Sequence, residues 1–340
     1  MNFSSIIGQD RPVGILQRAL ANDALAHAYL FSGEPGIGKR TTALVLAAAL
    51  NCDASGPDGG CGVCPSCRKV ASGSHPDVHV LMPESEDQRF LEAASAAEAR
   101  KASDEIKIDQ VREAQDRIAL RPFEGRKKVL IVDGAEAMNE ASSNAFLKTL
   151  EEPPGETLIV LVTSLPRDLL PTIRSRCQEL QFQPLPRRAL ADLLRERRGL
   201  TEEDAWFLAA LSRGSIGRAL AMEAQEEREA RERFLSLVDG LGGLRPDEVL
   251  SLAEGIAKDR EGFVRLLDLG VEWLRDRVVF GQTGDERLLV FPGNIGQGAG
   301  PSLPRLLQDL ELFAASRTHL ERRVSAQLVA ENLLLKLGKP

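Results

Sequence analysis

The sequence predicts an α/β domain with a doubly wound parallel sheet, followed by regions that are entirely α-helical. Three observations favour this fold class. A glycine-rich loop at 33–42 lies between an apolar, strand-like segment at 27–32 and an Ala/Leu-rich helix. Strand-like and helix-like segments then alternate as far as Phe182. After Pro184 and Pro186 the spacing of apolar residues is helical throughout.

The glycine-rich loop reads GEPGIGKRTT and is almost a phosphate-binding loop. In the motif G-x-x-x-x-G-K-[ST], backbone N–H groups surround the phosphates and the lysine contacts the β- and γ-phosphates. Gly33, Gly38 and Lys39 fit this motif, and Gly36 lies between them. Arg40, however, stands where a Ser or Thr hydroxyl would bind Mg²⁺. The context predicts an anion site at the start of a helix, and a plain glycine turn is the alternative.

Four cysteines follow the helix after this loop, with the spacing Cys52-x8-Cys61-x2-Cys64-x2-Cys67. Zinc prefers four soft ligands in a tetrahedron, and C-x2-C turns place pairs of thiolates on one ion. In a reducing compartment, clustered cysteines favour a metal over disulfides. The spacing therefore predicts a zinc module at 52–67, structural because four protein ligands leave no open position. Reduced or redox-active thiols are the alternative.

The remaining sheet segments are short, buried apolar runs. The run at 129–133 predicts a parallel strand that ends in Asp133, the place from which a carboxylate assists Mg²⁺ in phosphate-loop proteins. Another strand is predicted at 157–163. Between the cysteines and these strands, 84–105 is acidic and Ala-rich, which predicts a solvated insertion, helical or loose.

A further strand is predicted at 178–182, and helices are predicted before the strand at 157–163 and after the strand at 178–182. The segment 144–152 predicts a helix that Pro153 and Pro154 stop. Later, Thr201 is a predicted helix cap. The apolar spacing predicts long helices at 262–280 and 324–337, joined by a Gly-rich connection at 281–304.

Composition narrows the class of protein. A chain of 340 residues is long enough for two or three domains. The net charge of −7 argues against a protein that binds nucleic acid over its whole surface, although it does not exclude a local basic face. The chain does not open with a cationic segment and an apolar core, and its longest apolar runs are too short for a bilayer. We therefore expect a cytoplasmic protein.

The motifs occur in a particular order: the phosphate-binding loop, the strand ending in Asp133, the segment NAFLKTLEEPP from Asn144, and Ser175-Arg176-Cys177. This order resembles the AAA+ subunits of the bacterial clamp loader, and the four-cysteine module resembles one that this family carries at the same place. The resemblance covers essentially the whole chain. It implies three domains: an AAA+ phosphate-loop domain at 1–184 that contains the zinc module, a small helical lid at 185–226, and a helical collar for oligomerisation at 227–340.

Two departures from the family's motor subunits bear on catalysis. The gamma/tau motors carry an intact loop and an Asp-Glu pair, where this sequence has Arg40 and Asp133-Gly134. Without the hydroxyl, Mg²⁺ loses a ligand, and a guanidinium there repels the metal. Without a carboxylate at Gly134, nothing polarises the attacking water. The resemblance therefore implies a chain whose own ATPase activity is absent, while binding of ATP and Mg²⁺ stays open.

The resemblance also assigns roles to two arginines. By this resemblance, Arg176 is expected to be an arginine finger that acts in trans on the γ-phosphate held by a neighbouring motor subunit. A surface salt bridge is the alternative, and Arg174 is the rival residue. Arg218 matches the lid arginine that senses bound nucleotide, or is vestigial here. The implied nucleotide-binding residues are Gly33, Gly36, Gly38, Lys39, Asp133 and Arg218.

The implied function is that of a non-hydrolysing stator. It would help to load the sliding clamp onto primed DNA within a hetero-oligomeric ring that also contains gamma/tau and delta subunits. Two other functions are weighed against it. An active gamma/tau-type ATPase requires that Arg40 and Gly134 be tolerated. A zinc-dependent nucleic-acid-binding protein is disfavoured by the acidic net charge and by a cysteine module too short for a recognition helix.

Overall fold

The computed structural model describes residues 2–93, 102–291, 302–322 and 324–337. By its internal contacts, the described chain divides into two compact units. The first comprises Met1–Leu185 with Ser215–Gly217, and the second comprises Pro186–Gly214 with Arg218–Pro340.

Within the described residues, the first unit is built on a five-stranded parallel sheet in the order β2-β3-β4-β1-β5. Neighbours that are not consecutive in sequence require crossover connections, so the predicted doubly wound parallel sheet is confirmed. At the carboxyl ends of the central strands, Asp133 of β3 pairs with Val162 of β4, and Ser32 of β1 pairs with Thr163 of β4. The carboxyl ends of three central strands therefore lie side by side. The strands are β1 Ala28–Ser32, β2 Val78–Leu81, β3 Lys128–Asp133, β4 Thr157–Thr163 and β5 Gln178–Gln181.

Helices cover both faces of the sheet because the strand side chains alternate between two cores. Phe31 packs in one core with Leu46 of α2, and Leu30 packs in the other with Phe146 of α6. The three central strands, β3, β4 and β1, are apolar on both faces, as expected for the buried part of a parallel sheet. The described helices of this unit are α1 Asp10–Ala21, α2 Lys39–Asn51, α3 Pro65–Ala71, α4 Gln88–Ala93, α5 Ile108–Ala119, α6 Glu140–Glu151 and α7 Pro171–Arg174.

Two segments of the first unit differ from the prediction or extend it. Helix α6 begins at Glu140, four residues before the predicted start, because the Asn139 side chain caps it by accepting the N–H of Ser142 at 3.0 Å. The acidic stretch 84–105, predicted as a solvated insertion, contains α4, and its residues 94–101 lie outside the described part of the chain.

The second unit is helical throughout its described residues, as predicted. Helix α8 packs on α9, α13 on α14, and α12 on α15. Thr201 caps α9 as predicted, by accepting the N–H of Asp204 at 3.1 Å. The predicted connection at 281–304 is shorter in the structure: the preceding helix continues to Thr283, a 3-10 turn follows at Glu286–Leu288, and the next helix begins at Leu303. Residues 292–301 lie outside the described part of the chain. The helices are α8 Arg187–Arg198, α9 Glu202–Leu211, α10 Ile216–Ala221, α11 Ala224–Leu241, α12 Pro246–Lys258, α13 Arg260–Thr283, α14 Leu303–Glu321 and α15 Ala326–Leu337.

The helices of the predicted lid and collar pack together in this unit. Helix α9 contacts α11 and α13, and the ring of Phe207 on α9 lies 5.6 Å from the ring of Phe291 in an edge-to-face arrangement. The predicted boundary near residue 226 falls inside α11, so the division into lid and collar stays a prediction. In the described part of the chain, no helix is both long enough and apolar enough to cross a membrane.

Candidate nucleotide site and metal centre

The glycine loop lies between β1 and α2, at the carboxyl end of the sheet's centre. Gly33, Gly36 and Gly38 all have positive φ angles, of 144°, 72° and 99°. A Cβ on Gly33 would come within 2.6 Å of the carbonyl oxygen of Phe182. Residues with side chains rarely adopt these angles, so the curled backbone depends on glycine at these positions.

The side chain of Lys39 is buried and folds back over the loop. Its Nζ donates to the carbonyl oxygens of Gly33 at 2.6 Å and Glu34 at 2.7 Å. Burial lowers the pKa of Lys39, while the carboxylates of Glu136 and Asp133 act in the opposite direction. A phosphate in this loop would therefore compete with two carbonyl groups for the ammonium group.

Arg40 and Asp133 form an ion pair across the site. The Nη1 atom of Arg40 lies 3.3 Å from Oδ2 of Asp133 at the end of β3, with the arginine side chain 49% exposed and the aspartate 23% exposed. Burial raises the pKa of Asp133, and the charges of Arg40 and Lys39 lower it. The carboxylate that was predicted to assist Mg²⁺ thus already forms an ion pair with a guanidinium group.

A second carboxylate, Glu136, belongs to this site and was not among the residues predicted from the sequence. Gly134, with φ of 74°, starts a short 3-10 turn at Ala135–Ala137 that carries it. Its Oε1 accepts from the backbone N–H of Ser164 at 3.0 Å and from the hydroxyl at 2.6 Å, just beyond β4. Its Oε2 is buried and accepts no hydrogen bond from the described residues. The sequence feature that could have identified Glu136 is its position as an acidic residue three places after Asp133.

The loop is closed by the segment Ser215–Gly217 of the first unit. The backbone N–H of Gly217 donates to the carbonyl oxygen of Gly36 at 2.9 Å. A Cβ on Gly217 would lie 3.1 Å from that oxygen, so glycine permits this close approach. The first unit thus brings the predicted loop residues and Asp133 together. The remaining predicted nucleotide residue, Arg218, belongs to the second unit, where it pairs with Asp268.

Arg176 follows the short helix α7 and precedes β5. Its Nη2 lies 2.6 Å from Oε1 of Glu151 at the end of α6, and its Nη1 donates to the carbonyl oxygen of Thr172 at 3.0 Å. The side chain is 35% exposed. Its rival Arg174 lies 3.9 Å from Glu179, a longer contact. Within this chain both arginines are therefore paired with acids near the surface.

The four clustered cysteines meet at one point. Their Sγ atoms all lie within 4.8 Å of one another, and those of Cys52 and Cys64 are 3.8 Å apart. Zn–S bonds of about 2.3 Å in a regular tetrahedron separate the sulfurs by about 3.8 Å. Cys52 follows α2, whereas Cys64 and Cys67 lie at the start of α3. This cluster could hold a metal ion.

Backbone N–H groups point at the sulfur atoms. Cys61 N donates to the Cys52 sulfur at 3.3 Å, Cys64 N to the Cys61 sulfur at 3.3 Å, and Cys67 N to the Cys64 sulfur at 3.4 Å. Hydrogen bonds from the Val63 and Cys64 backbone lower the pKa of Cys61 to about 6, and burial raises the pKa of Cys67 to about 12. Donors of this kind stabilise thiolates, the form that binds metal.

Subunits of DNA polymerase III are similar to this chain over much of its length. The sequence profile of the family described as DNA polymerase III, delta subunit, matches residues 8–186. The delta-prime subunit of DNA polymerase III from Pseudomonas aeruginosa is 32% identical over 317 residues, which cover 92% of this chain and 91% of that protein. The delta-prime subunit from Bacillus subtilis is 33% identical over 234 residues, or 68% of this chain and 65% of that protein.

Gamma/tau and tau subunits of DNA polymerase III are also similar to this chain. The gamma/tau subunit from Mycobacterium tuberculosis is 37% identical over 217 residues, or 63% of this chain and 34% of that protein. Among solved structures, a protein from Thermotoga maritima related to the DNA polymerase III gamma subunit gives a TM-score of 0.41 at 17% identity, covering 96% of this chain and 98% of that one. The profile match over more than half of the chain, and the near-complete overlap with a delta-prime subunit, show that the chain belongs to the delta-prime subunit family of DNA polymerase III.

Proposed function

We propose that this chain is a clamp-loader subunit that does not hydrolyse ATP itself and that acts on the ATP site of a neighbouring gamma/tau-type subunit through Arg176. Membership of the delta-prime family supports the clamp-loader role. The observation that carries the non-hydrolysing part is the ion pair between Arg40 and Asp133.

The ion pair acts against metal binding in two ways. A Mg²⁺ ion at a phosphate loop is held by the hydroxyl after the lysine and by a carboxylate at the end of a strand. Here Arg40 replaces the hydroxyl, and its guanidinium lies 3.3 Å from Asp133. A metal at that point would meet a positive charge at close range and would have to displace it from its carboxylate.

The attacking water also lacks a partner. Gly134 offers no side chain at the position of a catalytic glutamate. A further acid of the site, Glu136, already accepts two hydrogen bonds from Ser164 through one oxygen. We infer that any nucleotide bound here is held without turnover.

The setting of Arg176 is compatible with a role in trans. Its ion pair with Glu151 is partly exposed, with side chains 35% and 50% accessible, and such surface pairs contribute about 0–1 kcal/mol. Release of the guanidinium toward a neighbour's phosphate therefore costs little. An arginine finger accelerates hydrolysis by about 10³-fold or more, so the exchange is strongly favourable in the transition state.

The four cysteines are proposed to bind a structural zinc ion. The close approach of the four sulfurs, all within 4.8 Å of one another, and their backbone N–H donors support zinc, and four thiolates would close the coordination sphere. The zinc would hold the end of α2 to the start of α3. A separate zinc-dependent nucleic-acid-binding function has no observation in its favour.

We further propose that the chain takes its place in a cytoplasmic, hetero-oligomeric ring with gamma/tau and delta subunits. The ring, rather than this chain alone, would bind the sliding clamp and primed DNA. The division into an AAA+ domain at 1–184, a lid at 185–226 and a collar at 227–340 belongs to the same proposal, with the collar as the oligomerising part.

Reconstitution tests this function. The full chain is mixed with gamma/tau and delta subunits, and assembly is followed by size-exclusion chromatography together with clamp loading on primed DNA. Co-elution and a dependence of loading on this chain are expected. Failure to co-elute would overturn the clamp-loader role, and ATP turnover by the isolated chain, abolished in Lys39→Ala, would instead identify a motor subunit.

A further inference from the structure

A buried aspartate in the second unit is paired with arginines from separate segments. Asp268 lies on α13 with a side chain only 5% exposed. Among the described residues, three arginines reach it. Arg218 of α10 donates to Oδ2, Arg213 lies 3.5 Å from Oδ1 in the turn after α9, and Arg317 of α14 lies 3.2 Å from Oδ1. One carboxylate therefore joins the turn between α9 and α10 to α13 and α14.

The backbone of that turn provides a second, independent observation. Arg213 has a φ of 52°, a left-handed conformation that residues other than glycine rarely adopt. Its guanidinium contacts a second acid of α13, Glu272, at 3.7 Å. Strained backbone of this kind persists where surrounding contacts hold it. The two acids of α13 supply such contacts.

Burial makes the cluster sensitive to the loss of any partner. Removing one member of a buried ion pair leaves an uncompensated charge in a poorly solvated place, which is strongly destabilising. Loss of Arg218 still leaves Asp268 with Arg213 and Arg317. Loss of the Asp268 charge leaves three guanidinium groups without their shared carboxylate.

We propose that Asp268 is a clasp that holds the α9–α10 turn to α13 and α14, and that Arg218 serves this clasp instead of sensing nucleotide. The proposal rests on the proposed function only in that Arg218 occupies the position of a nucleotide-sensing arginine. It follows that the predicted lid moves with the predicted collar whether or not nucleotide is bound.

Hydrogen exchange of the full chain, read in peptides covering 202–221, tests the clasp. We expect Arg218→Gln to speed exchange there by about tenfold and Asp268→Asn by on the order of 100-fold. The double variant should exchange no faster than Asp268→Asn, to within about twofold, because both changes break the same contact. Arg218→Lys, which keeps the charge, should recover most of the protection.

Two controls isolate the clasp. Arg245→Gln removes an arginine of the same unit whose side chain is 71% exposed, and it should leave exchange within about twofold of the unmodified protein. Millimolar ATP with Mg²⁺ should leave exchange unchanged in 202–214, the part of this window that excludes the segment Ser215–Gly217 beside the glycine loop.

Several results would overturn the proposal. One is an Arg218→Gln protein that exchanges at the unmodified rate. Another is a double variant in which the increases in exchange rate caused by Arg218→Gln and Asp268→Asn multiply, because the two residues would then act independently. A third is protection by ATP that Arg218→Gln abolishes, which would show that Arg218 senses nucleotide. If Asp268→Asn does not fold, the comparison of Arg218→Gln with Arg218→Lys decides alone. The measurement needs neither ring assembly nor ATP turnover, so its failure leaves the proposed function standing.

Discussion

The guanidinium of Arg40 lies 3.3 Å from the carboxylate of Asp133, so one side chain accounts for two defects of the nucleotide site. It removes the hydroxyl that would bind Mg²⁺, and it neutralises the carboxylate that would assist. Lys39, in turn, donates to two carbonyl groups of its own loop. The site is therefore charge-balanced by the protein's own side chains.

We expect Arg40→Thr to create a metal-dependent nucleotide site. The substitution supplies a hydroxyl and leaves Asp133 free to assist Mg²⁺, so the affinity for ATP should rise by about tenfold, or about 1.4 kcal/mol, when Mg²⁺ is present. Titration with a fluorescent ATP analogue, with and without Mg²⁺, measures this change. Arg40→Thr combined with Lys39→Ala is the control and should not gain affinity. An Arg40→Thr protein that binds ATP no better with Mg²⁺ would contradict the account of the ion pair.

The isolated chain, and also Arg40→Thr, should show no significant ATP turnover. The reason is that Gly134 still offers no carboxylate to the attacking water. A steady-state phosphate-release assay checks this. Turnover at the rate of a motor subunit would mean that another group activates the water.

Metal analysis should find about one zinc ion per chain, and removal of the zinc should lower the thermal midpoint by about 10 °C. Cys64→Ser should lose the metal because it removes one of four ligands. Cys177→Ser is the matched control: this thiol lies outside the cluster, and burial raises its pKa to about 12. Thiols that all titrate freely in metal-free but fully stable protein would exclude a structural zinc.

The predicted collar should carry ring assembly through exposed apolar residues. Leu328 on α15 is 62% exposed, and Leu328→Glu should weaken co-elution with gamma/tau subunits by about tenfold or more while the chain stays folded. Val63→Glu in the cysteine module is the control, since Val63 is 67% exposed but lies outside the collar. Equal effects of the two substitutions would argue against an interface at this part of the collar.

Arg176→Ala should leave folding, zinc content and assembly unchanged while it lowers ATP hydrolysis and clamp loading by the complete ring. In the proposed function only the neighbouring ATP site depends on this arginine, so the loss should be partial, although a single finger contributes about 10³-fold or more at its own site. The measurement is ATPase activity and clamp loading of rings assembled from matched preparations.

Two controls separate this role from a surface salt bridge. Glu151→Ala removes the partner that lies 2.6 Å from Arg176 and should not lower the ATPase rate of the ring. Arg174→Ala should have a smaller effect than Arg176→Ala. If Glu151→Ala and Arg176→Ala reduced activity equally, the ion pair itself would be the important feature, and the action in trans would be wrong.

Local patterns in the sequence were sufficient for much of the fold. Strand β4 at 157–163 and the helix after the glycine loop follow from runs of apolar residues, and the parallel sheet follows from their alternation with helices. The cluster of four cysteines was predictable because C-x2-C turns bring thiolates together locally. Helix starts were less predictable: α6 begins at Glu140 because the Asn139 side chain, not an apolar pattern, caps it.

By itself, then, the sequence determined the phosphate loop, its missing hydroxyl at Arg40, and the set of four cysteines, because each is a short-range pattern. Only the tertiary structure decided which charges meet. Asp133 reaches Arg40 because β3 and β1 flank β4 in one sheet, with their carboxyl ends aligned. Asp268 contacts Arg317 because α13 packs against α14 in the second unit. Such pairings depend on strand order and helix packing between segments that are distant in the chain, which no local spacing of residue types encodes.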